Sequence, residues 1–153
     1  MCPKYGGNII QPARALELVQ IIEDEPEQAR LLDYAFQKAG YLTSIAYDGL
    51  SGLDAVRRLK PSLVVLDLML PELDGYGVCR QLRKYSETRD IPILMVTALT
   101  ENMHRVIAQT LGADDLVLKP FGIKDIVQRG THLIQRRGAG AIATNHHSAL
   151  EYF

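Results

Sequence analysis

Five side chains able to act as acid, base, nucleophile or ligand stand directly behind short apolar runs. Glu23 and Asp24 follow Leu18-Val19-Gln20-Ile21-Ile22, and Asp67 follows Leu63-Val64-Val65-Leu66. Thr97 follows Ile93-Leu94-Met95-Val96, and Lys119 follows Leu116-Val117-Leu118. A carboxylate at the tip of a buried strand is costly to ionise without a partner. In open α/β sheets that tip is also where ligands sit. If the runs are parallel strands, all the tips share one edge. Carboxylates crowded there need a compensating cation. Their hard oxygens suit Mg2+ (or Mn2+), held together with waters and phosphate. A lysine and a threonine beside such an ion are suited to binding phosphate oxygens.

The elements that must position these residues are legible from periodicity. Strands are predicted at Leu18–Ile22, Leu42–Tyr47, Leu63–Leu66, Ile91–Val96 and Asp115–Leu118,. Pro26 opens a helix carrying Leu31, Leu32, Ala35, Phe36 and Ala39, and Gly40 stops it,. Leu50, Leu53, Val56 and Leu59 form the stripe of a second helix, ended by Pro61. Tyr76, Val78, Cys79 and Leu82 mark a third, from Gly75 to Tyr85. A fourth opens at Thr100-Glu101, with Val106, Ile107 and Leu111 on its apolar side and Gly112 as its stop. Ile123, Ile126, Val127, Leu133 and Ile134 mark the last, in which Gly130 costs roughly 1 kcal/mol relative to alanine and predicts a weaker helix,. Strands alternating with helices imply an α/β fold, a five-stranded parallel sheet with helices on both faces.

The bulk numbers narrow the class. A chain of 153 residues holds one domain with short extensions,. A formal net charge of −1 gives no electrostatic reason for direct nucleic-acid binding,. Cys2 and Cys79 do not make a disulfide framework, and a cytoplasmic location is expected,. No apolar run reaches the ~18 residues of a membrane span. Residues 1–17, with Pro3, Gly6-Gly7 and Pro12, read as an N-terminal arm. Residues 138–153 read as a linker or disordered tail, His146-His147 included,.

Taken together, Glu23-Asp24, Val65-Leu66-Asp67 with Leu70-Pro71 and Asp74-Gly75, Val96-Thr97-Ala98, Gly112-Ala113-Asp114-Asp115 and Lys119-Pro120-Phe121 resemble the receiver domain of two-component response regulators. The resemblance runs from Leu18 to Arg137, the expected domain being residues 18–137. It implies a flavodoxin-like sheet of order 2-1-3-4-5. It also implies that Asp67 is a phosphoacceptor, taking a phosphoryl group from the phosphohistidine of a sensor histidine kinase or phosphotransfer protein. Metal would be held by Glu23, Asp24, Asp67 and the backbone carbonyl of Met69. Lys119 would bind one phosphoryl oxygen and Thr97 another, and the Lys119–Pro120 bond would be cis. The helix 4–strand 5–helix 5 face would carry the switch and is where a homodimer would form. The domain would be a signalling module that assists its own phosphorylation and dephosphorylation rather than a turnover enzyme.

Two departures from the family pattern matter. Leu116 stands where the family usually has a switching aromatic, so with Thr97 it belongs to the switch. Leucine either changes rotamer or fills its pocket permanently. Met69 and Leu99 flank the site with apolar side chains that neither orient nor activate water, which predicts a long-lived phospho-Asp67. Two other readings compete. One is a Mg2+-dependent phosphohydrolase with an aspartyl nucleophile, disfavoured because Met69 replaces the second acid. The other is a pseudo-receiver acting by protein contacts alone.

Overall fold

The computed structural model describes residues 16–98, 102–103, 106 and 110–139. The strands are β1 (Leu18–Ile22), β2 (Leu42–Ala46), β3 (Leu63–Asp67), β4 (Ile93–Thr97) and β5 (Asp115–Leu118). The helices are α1 (Pro26–Lys38), α2 (Gly49–Leu59), α3 (Gly75–Lys84), α4 (helical at 102–103, 106 and 110–111) and α5 (Ile123–Ala139). The strands form one sheet of order β2-β1-β3-β4-β5. Every pairing is parallel. The arm before residue 16, the tail after 139, and Thr100, Leu99 and Ile107 lie outside the described residues.

Two apolar layers hold the sheet between its helices. Because successive strand residues point to opposite faces, Ile22, Val64, Leu66, Ile93 and Met95 join α2 residues Leu53 and Val56 and α3 residues Val78, Cys79 and Leu82. Val19, Ile21, Leu63, Val65, Leu94 and Val96 join Leu32 and Phe36 of α1 and Ile126, Leu133 and Ile134 of α5. Strands sandwiched in this way are apolar on both faces, which is why their sequences do not alternate.

Helix starts are set locally. Asp48 accepts from the Ser51 N–H at 2.7 Å and caps α2, and Asp74 accepts from the Gly77 N–H at 2.9 Å and caps α3. Such caps satisfy N–H groups that a helix leaves orphaned, for about 1 kcal/mol each. At the far end of α2, Lys60 takes a left-handed conformation with φ +46° before Pro61.

One expectation is corrected. β4 begins at Ile93 rather than Ile91, because Pro92 has no N–H to give to a ladder, although its carbonyl accepts from Val64 at 3.0 Å,. α5 continues through Ala139, two residues into the stretch expected as linker or tail. α5 runs unbroken through Gly130 for 17 residues. A Cβ at position 130 would lie 2.9 Å from Leu63 Cδ2 and 2.9 Å from Phe36 Cε1. The glycine lets α5 press against α1 and β3.

Candidate functional site

The parallel sheet places the predicted tips on one edge, and its hydrogen bonding runs one residue past the strands. The Glu23 N–H donates to the Ala46 carbonyl at 3.0 Å, Leu68 to Val96 at 3.2 Å, and Lys119 to Thr97 at 2.8 Å. Each tip is thereby aligned with its neighbour by backbone, independent of its side chain. The Lys119–Pro120 bond is cis.

Glu23, Asp24 and Asp67 each offer a carboxylate oxygen within 4.8 Å of the others. Glu23 and Asp67 are buried, at 1% and 3% exposure, while Asp24 is more open. Lys119 Nζ lies 3.2 Å from Glu23 Oε2 and 3.2 Å from Asp67 Oδ2. The other oxygens are held by backbone, Asp67 Oδ1 by the Met69 N–H at 3.0 Å and Glu23 Oε1 by the Glu25 N–H at 3.2 Å. Thr97 ends β4 fully buried, and its register partner is Leu118. Met69 meets the site through its N–H, and the residue is 58% exposed.

The electrostatics show what the cluster lacks. Burial, then the neighbouring Asp67 charge, push the Glu23 carboxyl up from 4.5 to about 7, against the pull of Lys119. Burial works to lower the Lys119 pKa, but the Asp67 and Glu23 carboxylates outweigh it and hold the ammonium above its usual range. One ammonium among three carboxylates leaves net negative charge at a largely buried point. That donor set, all oxygen with two buried acids, fits a hard divalent cation.

The loop after β3 is held by close approach. The Gly75 N–H donates to Leu68 O at 3.1 Å. A Cβ on Gly75 would stand 2.5 Å from Asp67 O and 2.6 Å from Leu68 Cα. One on Gly49, at the start of α2, would stand 1.9 Å from Leu73 O. Glu72 in this loop has φ +61°.

Leu116 is 9% exposed and belongs to the cluster containing Met95, Cys79 and Ala113. The predicted site residues Glu23, Asp24, Asp67 and Lys119 are thus gathered by their side chains, and Thr97 joins them through backbone. Leu116 lies away from them in the core, and Leu99 falls outside the described residues.

One feature follows from the shared edge and another had no sequence signal. The Glu23–Lys119 ion pair joins residues 96 apart, and only the sheet order reveals it. Arg83 Nε donates to Gly112 O at 3.0 Å, Nη1 to Arg89 O and Ile91 O at 2.8 Å each, and Nη2 to Asp114 Oδ2 at 2.7 Å. It ties α3 to the loops before β4 and β5.

Comparison with known proteins agrees with this arrangement. The family described as response regulator receiver domain matches residues 19–130. A probable transcriptional regulator ycf27 of Porphyridium aerugineum is 43% identical over 120 residues, 78% of this chain and 49% of its own. The DNA-binding dual master transcriptional regulator RpaA of Synechocystis is 37% identical over 132 residues, 86% of this chain and 55% of its own. The chain therefore spans about half the length of these curated relatives. Among solved structures, the receiver domain of Francisella response regulator 1452 is similar at TM-score 0.73 and 28% identity, covering 78% of this chain and 98% of that one.

Proposed function

The chain belongs to the response regulator receiver family of two-component systems, and on that premise we propose that Asp67 is its phosphoacceptor, charged by a partner histidine kinase. The observation that carries this reading is the buried Asp67 carboxylate, fixed by the Met69 N–H on one oxygen and by Lys119 on the other. So held, it presents a set plane for in-line attack on a phosphohistidine. The new P–O bond forms on Asp67, the P–N bond breaks, and the imidazole nitrogen keeps the electron pair. Lys119 turns from its carboxylate partners to a phosphoryl oxygen, and Thr97 receives another. Glu23, Asp24, Asp67 and the Met69 carbonyl would hold Mg2+, which supplies charge neutralisation for the transferring phosphoryl group. The same residues would assist return of the phosphoryl group to water. Met69, apolar and exposed, gives no help to that water, and this supports a long-lived phosphoaspartate.

The domain is assigned residues 18–137, with 1–17 as an arm and 138–153 as a linker or tail whose first two residues continue α5. The switch is assigned to Thr97 and the α4–β5–α5 face. Burial of Leu116 favours the reading in which it fills its pocket and the face signals through backbone. Exposed Met103, Val106, Leu118 and Ile123 support a homodimer through that face. By analogy with its relatives, which are described as transcriptional regulators, the output is control of transcription through a longer regulator.

The test is intact mass after acetyl phosphate and Mg2+. One added phosphate on the wild type and none on Asp67→Asn is expected. No uptake by a folded wild type would favour a pseudo-receiver. Steady phosphate release at enzyme-like rates would favour a phosphohydrolase.

A further inference from the structure

The sheet ends on β2 at one side and on β5 at the other. An edge strand leaves a row of backbone N–H and C=O groups unpaired, and proteins commonly blunt it with charge, proline, a bulge or shortness. β5 is blunted in this way. It is four residues long, it begins on Asp115, whose carboxylate pairs with Arg129 at 2.9 Å, and Lys119-Pro120 follow it. β2 is not. Tyr41-Leu42-Thr43-Ser44-Ile45-Ala46-Tyr47 holds no acid, base or proline. Its register with β1 runs one to one from Leu42 to Ala46, without a bulge. Leu42 and Tyr47 are 49% and 48% exposed. Among the described residues β2 pairs with β1 alone.

The ladder fixes which backbone groups face outward. The Leu42 N–H donates to Glu17 O, and Ala46 O accepts from the Glu23 N–H, each at 3.0 Å. In a strand the N–H and C=O of one residue point to the same side, and successive residues alternate. Leu42, Ser44 and Ala46 therefore face β1. Thr43 and Ile45 face the open edge with both groups. The Tyr41 carbonyl and the Tyr47 N–H join them, because a trans peptide sets its C=O and N–H on opposite sides. This row is complementary in charge to itself. Turned about a two-fold axis through Ser44, the midpoint of β2, every outward donor meets an acceptor. Thr43 exchanges both bonds with Ile45 of a second copy, and the Tyr47 N–H meets the Tyr41 carbonyl. Ser44 then stands opposite its own copy in a non-hydrogen-bonded pair, the Cα atoms about 4.5 Å apart. The paired strands bring no like charges together.

We propose that β2 is a self-association edge, at which a second copy of this chain adds its own β2 antiparallel and the two sheets become one. The contact is isologous, so it closes at two copies. One strand pair is a small interface, so pairing is weak and set by protein concentration. It lies at the opposite side of the sheet from the pairing assigned to α4–β5–α5. It needs no phosphoryl group, and it stands or falls apart from the chemistry at Asp67.

The test uses the full chain without a phosphodonor. Sedimentation equilibrium is run from low to high micromolar concentration, with amide hydrogen exchange measured by NMR at each end of the range. The mass should rise from 17.0 kDa toward twice that value. Exchange at the Thr43, Ile45 and Tyr47 amides should slow at least about threefold at the higher concentration, while Ser44 and Ala46, already bonded to β1, stay unchanged. Ser44→Lys and Ser44→Asp place like charges opposite each other and should each stay monomeric. An equimolar mixture of the two should pair again. A wild type that stays monomeric overturns the proposal, as does exchange at Thr43, Ile45 and Tyr47 that ignores concentration. A mass increase that Ser44→Lys leaves intact also overturns it, since that assigns the dimer to another face. So does a mixture that fails to pair. The wild-type exchange pattern decides the matter even if neither variant folds.

Discussion

Gly130→Ala sets two effects of known size against each other. In an isolated helix the substitution would gain about 1 kcal/mol, because glycine has more backbone entropy to lose. In α5 the new methyl would lie 2.9 Å from Leu63 Cδ2 and between 2.9 and 3.0 Å from two atoms of the Phe36 ring. Leu63 and Phe36 are both fully buried, so neither can swing into solvent to make room. Overpacking of a filled core costs typically 1–3 kcal/mol. The steric cost therefore exceeds the propensity gain, and a net loss of about 1 kcal/mol is expected. In urea denaturation the midpoint should fall by about 0.5 M at unchanged slope. Thermal unfolding should move down by about 4 °C. Adding Phe36→Leu should make the two changes non-additive, because it removes the atoms the methyl meets. A single variant more stable than wild type would refute the reasoning and return Gly130 to the status of a simple helix defect.

Two further outcomes follow from contacts at and beyond the site. Glu23 holds a proton in the folded state up to about pH 7, whereas in the unfolded chain it releases one near 4.5. The folded state thus binds more protons between those values. Metal-free stability from this group should fall as pH rises through the window, by up to about 3 kcal/mol. Urea titrations in EDTA at pH 5 and pH 8 should show that fall in wild type and lose it in Glu23→Gln; a wild-type stability that rises relative to the variant would contradict it. Arg83→Met removes the four hydrogen bonds that tie α3 to Arg89, Ile91, Gly112 and Asp114. A loss of about 3 kcal/mol is expected, under about 1 kcal/mol for each of the four bonds because two of them are exposed to solvent,, with phosphate uptake at Asp67 unchanged by mass; a loss below about 0.5 kcal/mol would show the arginine to be a solvated surface group.

The tip residues were legible because each interrupts a buried apolar run with a group that burial penalises, and parallel topology puts all such interruptions on one edge. Other features were not, for particular reasons. Arg83 bonds mostly to backbone carbonyls, and a carbonyl has no sequence signature. In the amphipathic pattern of α3, Arg83 looks like one more basic residue complementing the helix C-terminus,. At Gly130 the sequence shows only a low helix propensity, which is local, whereas the reason for the glycine is an aromatic ring nearly a hundred positions away in the chain. The apolar run suggests a start of β4 two residues early because Ile91-Pro92 extends the run while breaking the donor ladder. Leu116 is the mixed case. Its identity as a departure was visible, and its place in the core cluster came only from packing.

The glycines around the β3–α3 loop also bear on how function would be mapped by substitution. Gly49 and Gly75 carry no group that can touch a phosphoryl oxygen, yet any side chain there meets Leu73 O, Asp67 O or Leu68 Cα well inside contact distance. A screen that scored phosphate uptake alone would rank these two positions beside Asp67 and Lys119. Scored jointly for uptake and unfolding, the groups separate. The acids and the lysine define a chemistry that a well-folded variant can lack, while the glycines define a backbone path whose loss removes fold and chemistry together.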